Sequence, residues 1–308
     1  TPAWFKDPED EKSHLPLVII ETGGKVIGNS EKVDVHMKIV DNGPGNTNGF
    51  FDPGNVYDGH VGIEIRGQSS QMFPKKSYGF ETRDAQGGEN KVSLLGMPEH
   101  DDWVLYAPYS DKTMMRNDLS YYLGRRMLRW QPDARYVEVY LNGDYIGVYQ
   151  LIERIKRGKD RVDINKLEKD DTSGDALTGG YIFKVDKVQD LSPYEYFTSV
   201  PTYGYRNARN YQFTYYYPKS EDIVNAQKSY LSNFITSFQN TLNGSGFKHP
   251  TNGYAKMIDI QSFIDFQIVN ELSNNIDGYR YSTYFYKERD SKGGKLVAGP
   301  LWDFDLGY

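Results

Sequence analysis

The chain has 308 residues, a formal net charge of -6, and a 15% aromatic content that includes 26 tyrosines. That length suits one large domain or two ordinary ones with a real core, and the acidic balance excludes broad phosphate-backbone binding, and with it nucleic acid as a partner. The absence of cysteine removes thiol nucleophiles, zinc-thiolate sites and disulfides, and no apolar stretch is long enough to span a bilayer.

The opening "TPAWFKDPEDEK" lacks the charged-then-apolar order of a signal peptide. "LPLVIIETGG", "KVDVHMKIVDN" and "GHVGIEIRG" combine β-branched runs or alternation with Gly or Asn at their ends, which predicts strands closed by turns. "IRGQSSQMFPKKSYGFE" follows as a loop with two hydroxyls and two adjacent lysines before another strand-like run. In "TMMRNDLSYYLGRRMLRW", Met115, Leu119, Tyr122, Leu123 and Trp130 recur at helical spacing, with Asp111 as the start signal. Asn142-Gly143-Asp144 between two apolar runs predicts a hairpin.

Further on, the segment 193–217 is thick with tyrosine, which suits either an edge hairpin with alternating aromatics or a stacking surface for a ligand. "DIVNAQKSYLSNFITSFQNTLNG" and "DIQSFIDFQIVNELSNN" carry helical periodicity and end in Gly or Asn. The expected organisation is α+β, with a β-rich front lobe over residues 1–155 containing one main helix, and a mainly helical back lobe over 156–308. The ending "GPLWDFDLGY" has no polar tail, which suggests a chain that continues past Tyr308.

Three carboxylates stand out near that ending. Asp277 falls in a loop after the second helix, and Asp303 and Asp305 follow two strands joined by a Ser-Lys-Gly-Gly turn. A hairpin returns the chain close to its start, so the three can converge as a Mg²⁺ and general-base arrangement; each alone equally suits a cap or a turn. Mg²⁺ takes few carboxylates and prefers substrate phosphates, so a phosphate holder is needed elsewhere. Ser69 and Ser70, the amides near Gly67, and Lys75 or Lys76 supply the right groups, although "RGQSS" matches neither standard glycine-rich phosphate motif. A solvated turn would have the same composition. The five histidines show no metal-ligand spacing, and no G-x-S-x-G elbow occurs.

"IRGQSSQMFPKKSYGFE", "LLGMPEHDDWVLYAPYSDKTMMRNDL", "LNGDYIGVYQLIERIK", "LTGGYIFK" and "GPLWDFDLG" resemble, in order, the motifs of the CotH family, the spore-coat-type atypical protein kinases. The resemblance implies a protein-kinase-like two-lobed fold, ATP with Mg²⁺ or Mn²⁺, and phosphate transfer to serine of a protein acceptor. It further implies Asp277 as catalytic base, Asp303 as metal ligand with Asp305 beside it, Lys76 or failing that Lys75 as phosphate-binding lysine, and Arg66, Ser69 and Ser70 as the adjoining loop. Arg116, Asn117 and Glu153 match further family positions near the nucleotide. Many relatives place an Asn five residues after the base as a second metal ligand; here that position is Ser282.

Two rival readings stand beside this one: a surface binding protein or adhesin with weak or lost catalysis that binds through the Tyr-rich segment, and a metal-dependent phosphoesterase that uses the same aspartates without nucleotide. Spore-coat-type and secreted relatives point to an extracellular, periplasmic or cell-surface location.

Overall fold

The computed structural model describes residues 12–127, 129–201 and 210–308. The chain divides into two compact units, Thr1–Met114 with Pro132–Arg154, and Met115–Gln131 with Ile155–Tyr308.

In the first unit the strands are β1 (Lys12–Ser13), β2 (Leu17–Glu21), β3 (Val33–Val40), β4 (Asn48–Gly49), β5 (Tyr57–Arg66), β6 (Ser77–Arg83), β7 (Asp102–Tyr106), β8 (Ala134–Leu141) and β9 (Asp144–Glu153). Seven of them close into a barrel in the order β2-β3-β5-β6-β7-β9-β8. All its contacts are antiparallel except the parallel β2–β8 pair, Leu17↔Glu138 to Ile20↔Leu141. Closure leaves no exposed sheet edge. Period-two alternation does the positioning: Val35, Met37 and Ile39 of β3 point inward with Val61 and Ile63 of β5. β2 is apolar throughout because both its faces are covered: Val18 and Ile20 enter the barrel core, while Leu17 and Ile19 pack with Val40 and Tyr140 outside it. The expected hairpin forms, with Asn142 at φ 52° and Gly143 at φ 83°, as a tight turn between strands requires.

The second unit contains α1 (Arg116–Arg126), α2 (Gly174–Leu177), β10 (Tyr181–Val185), β11 (Tyr196–Thr198), β12 (Gln212–Tyr217), α3 (Asn225–Asn243), α4 (Ile260–Leu272), β13 (Thr283–Lys287) and β14 (Leu296–Ala298). Its strands form a five-stranded antiparallel sheet, β11-β12-β10-β13-β14. Phe183, Phe213 and Leu231 bury one face beneath α3, and Ile182 and Tyr284 bury the other with Ile155 and Ile164. Tight backbone approach explains the paired glycines of "LTGG": a Cβ on Gly179 would lie 1.9 Å from the Arg289 amide nitrogen, and Gly180 has φ 92°.

The structure corrects the fold expectation. A protein-kinase-like two-lobed fold with a mainly helical C-lobe is not what forms; the front is a closed seven-stranded barrel and the back is built on a sheet. The two long helices of the second half occur where periodicity placed them, but "GGYIFKV", "QFTYYY" and "TYFYK" pair side by side into a sheet. Pairing between segments that distant is invisible to local periodicity. The main helix also belongs to the second unit, not to the β-rich front.

The face of α1 is inverted relative to its apolar pattern. Asn117, Ser120, Tyr121 and Gly124 are buried, while Met115, Leu119 and Tyr122 are exposed. Close packing and polar satisfaction decide the orientation: a Cβ on Gly124 would lie 2.7 Å from both Gln131 and Leu301. Asp111 does not start the helix; its carboxylate accepts the Thr113 amide at 2.9 Å in a turn preceding it.

Candidate functional site

The C-terminal end of α4 leads into the segment that carries Asp277. α4 is capped at its start by Asp259, whose Oδ1 accepts the Ser262 amide at 2.9 Å, and closed at its end by the Ser273 amide, which donates to the Val269 carbonyl at 3.0 Å. Asp277 is therefore not a cap of this helix. Its carbonyl accepts the amides of Arg280 at 3.1 Å and Tyr281 at 3.0 Å, forming a one-turn loop, while its half-buried carboxylate accepts no hydrogen bond from the described residues. Gly278 is required for this turn, since a Cβ there would lie 2.6 Å from Asn270 Oδ1.

Five residues on, the Ser282 hydroxyl donates to Asp303 Oδ2 at 3.1 Å. The β13–β14 hairpin makes this contact possible, because it returns the chain from Lys287 to Leu296 and sets Phe285 opposite Ala298. Four of the eight described non-glycine residues with positive φ fall in these two segments: Asn274 (47°), Tyr279 (67°), Ser282 (48°) and Asp303 (68°). Each such conformation costs about 1–3 kcal/mol and clusters where geometry serves a task.

The loop holding Asp303 is fixed from α1. The Phe304 amide donates to Asn117 Oδ1 at 2.7 Å, Arg116 donates to the Asp305 carbonyl at 2.8 Å, and the Leu301 amide donates to Gln131 Oε1 at 2.6 Å. Arg116 and Asn117 thus hold the backbone of the Trp-Asp-Phe-Asp loop. Gln131, equally placed, carries no motif signal and was not foreseen. Replacing the buried Asn117 by Ala leaves the Phe304 amide unsatisfied, so Asn117→Ala is expected to lower unfolding free energy by about 1–3 kcal/mol, read as a shifted urea midpoint with unchanged slope.

In the first unit the hydroxyl-lysine loop is folded on itself. Arg66 ends β5 opposite Ser77. Gly67 sits at φ 100°, where a Cβ would lie 2.0 Å from Ser70 Oγ, and Ser69–Met72 forms a short 3₁₀ turn. Lys76 Nζ donates to the carbonyls of Gln71 and Phe73, both at 2.6 Å. Lys75 Nζ donates to the Val148 carbonyl at 2.5 Å and lies 4.6 Å from the Tyr149 ring centroid. Burial, and secondarily Lys112, holds the Lys75 ammonium below the usual lysine range. Neither lysine simply faces water. Glu153 is buried, and its carboxylate accepts the Asp133 amide at 2.9 Å, a clamp between β9 and the start of β8.

One histidine does meet carboxylates. His100, Asp101 and Asp102 are the trio among the described residues whose ligand atoms lie within 4.8 Å of one another. The trio fits a metal poorly: His100 Nδ1 accepts the Asp102 amide at 2.9 Å, and Asp102 pairs with Arg154 at 3.0 Å. Asp303 and Ser282 offer oxygen donors only, the chemistry Mg²⁺ and Mn²⁺ select.

The Tyr-rich segment packs as an edge hairpin. β11 is the sheet edge, Phe197 and Phe213 stack at 5.2 Å, and Tyr215, Tyr216 and Tyr217 pack against the two cores. Residues 202–209 of that segment lie outside the described residues.

The chain matches the family described as "CotH kinase protein" over residues 63–308 and belongs to the CotH family. The family's description points to a kinase-like function. Among curated proteins none matches the chain. No helix among the described residues is long and apolar enough to cross a membrane.

Proposed function

We propose that the chain is an ATP- and divalent-metal-dependent protein kinase that phosphorylates serine and acts outside the cytoplasm, as a secreted, cell-surface or spore-coat protein. The observation that carries this reading is the Ser282–Asp303 hydrogen bond, which joins two oxygen donors, one of them, Ser282, five residues after Asp277, whose carboxylate has no hydrogen-bond duty. Asp277 receives the serine proton. The serine Oγ forms a bond to the γ-phosphorus as the bond from that phosphorus to the β,γ-bridging oxygen breaks, and ADP departs with that electron pair.

Asp303 and Ser282 would hold the metal ion, with Asp305 next in the loop; when bound, the ion supplies neutralisation of phosphate charge. Lys76 and Lys75, with Arg66, Ser69 and Ser70, are the phosphate-contacting groups in this reading. Both lysines reach a phosphate by exchanging carbonyl partners for phosphate oxygens, a stronger charge-assisted contact. Arg116 and Asn117 act by holding the acidic loop, and Glu153 by holding the end of β9.

Joint stabilisation tests this reading: ATP with Mg²⁺ should raise the melting temperature well beyond either alone. Equal shifts with ATP alone would remove the metal from the proposal. Ser282→Asn should tighten Mn²⁺-dependent ATP binding, since an amide carbonyl ligates better than a hydroxyl and Asn tolerates the φ of 48° at this position. Calorimetry of both proteins checks it, and weaker binding in the variant would count against Ser282 as a ligand.

A further inference from the structure

Two further histidines, which show no ligand spacing in the sequence, are brought together by the barrel. β3 and β5 run antiparallel with His36 directly opposite His60. Because Val35, Met37, Val61 and Ile63 point into the core, both imidazoles stand on the outer face. Their ring centroids lie 6.4 Å apart, with the ring planes at 88°.

Each ring is held by a carboxylate from the other strand. His36 Nε2 lies 2.8 Å from Asp58 Oδ1, and His60 Nδ1 lies 3.1 Å from Asp34 Oδ2. A carboxylate on one ring nitrogen fixes the tautomer, orients the ring and makes the other nitrogen a stronger metal donor. The nitrogens so prepared are His36 Nδ1 and His60 Nε2, neither of which bonds to a described residue. An ion bound at 2.0–2.1 Å stands about 3.2 Å from an imidazole centroid, so one ion shared by two rings sets their centroids about 5–6.5 Å apart. The observed separation falls inside that span.

The surrounding charge favours a cation. Glu21 is the cross-strand neighbour of His36, so three carboxylates surround the ring pair. Against them stands Arg83, the cross-strand neighbour of His60, whose Nη1 lies 3.7 Å from Asp34 Oδ1. Lys25 is turned to the Asp34 carbonyl, and Lys38 to the carbonyls of Phe50 and Asp52. Imidazole donors select Cu²⁺, Zn²⁺ and Ni²⁺ over the oxygen-preferring Mg²⁺.

We propose that His36 and His60 are the two protein ligands of a surface site for a late first-row divalent cation, Cu²⁺, Zn²⁺ or Ni²⁺. Asp58 and Asp34 position the rings, and water completes the coordination. The site stands on the barrel wall and does not depend on the kinase reading.

Calorimetric titration of the metal-free protein with Zn²⁺, and electron paramagnetic resonance with one equivalent of Cu²⁺, decide it. The parent protein should bind one ion saturably, and the Cu²⁺ spectrum should show coupling to imidazole nitrogen. His36→Gln and His60→Gln should each weaken Zn²⁺ binding by at least about 10-fold, and Asp34→Asn/Asp58→Asn, which keeps both imidazoles, by about 10-fold or more. All four side chains lie outside the core, so each variant should melt with the parent when no metal is present; the Asn variant gives a second reading independent of the histidines. Undiminished binding and an unchanged Cu²⁺ spectrum in His36→Gln/His60→Gln would place the ion elsewhere and overturn the proposal. Absence of saturable binding of either ion by the parent would overturn it equally.

Discussion

Asp277→Ala is expected to lower phosphate transfer by about 10²- to 10⁴-fold while ATP affinity and melting temperature stay close to those of the parent protein. The two halves of this expectation have separate origins. A group that accepts a proton only in the transition state lowers turnover when removed and leaves ground-state binding alone. Stability is preserved because the Asp277 carboxylate accepts no hydrogen bond from the described residues, the helix before it is capped by Asp259, and the turn is held by the Asp277 carbonyl, which alanine keeps. A variant that melts earlier yet retains near-parental specific activity would make Asp277 a structural residue.

The second large effect is expected at Asp303. Asp303→Asn keeps an oxygen to accept the Ser282 hydroxyl and removes the negative charge, so the loop should keep its shape while metal-dependent stabilisation by ATP disappears. Turnover should fall by about 10³-fold or more, in line with the several kcal/mol that metal neutralisation of phosphate charge contributes. Thermal shift and rate measured over a Mn²⁺ titration separate weakened metal binding, rescued at high Mn²⁺, from a metal bound elsewhere. A full ATP-Mn²⁺ shift in the variant would move the ion away from Asp303.

Local pattern made some of this molecule readable in advance and left other parts hidden. The strands β2, β3 and β5 were legible because alternation, or unbroken burial, is imposed by a barrel wall on every residue. The Asn142-Gly143 turn and the β13–β14 return were legible because short connections leave few geometries. From the same return the sequence suggested that Asp277 meets Asp303 and Asp305; the contact the hairpin makes is between Ser282 and Asp303. Three things were not legible. The second unit's sheet joins β10, β12 and β13 across long separations, and each strand alone looks like an isolated aromatic run. The apolar stripe of α1 pointed to the wrong face, since the buried side follows the amides that Asn117 and Gln131 satisfy. And no composition rule reveals that Lys76 folds back on its own loop or that Lys75 binds the Val148 carbonyl.

Purified protein incubated with ATP and Mn²⁺, followed by peptide mass spectrometry with site localisation, tests the central claim most directly. Phosphate should appear on serine, on the chain itself or on an added serine peptide, and should be absent in Asp277→Ala and in reactions containing a metal chelator. Unmodified serine in the parent protein under conditions where ATP and Mn²⁺ jointly raise its melting temperature would contradict it, since the nucleotide and metal would then be bound without the transfer proposed for Asp277.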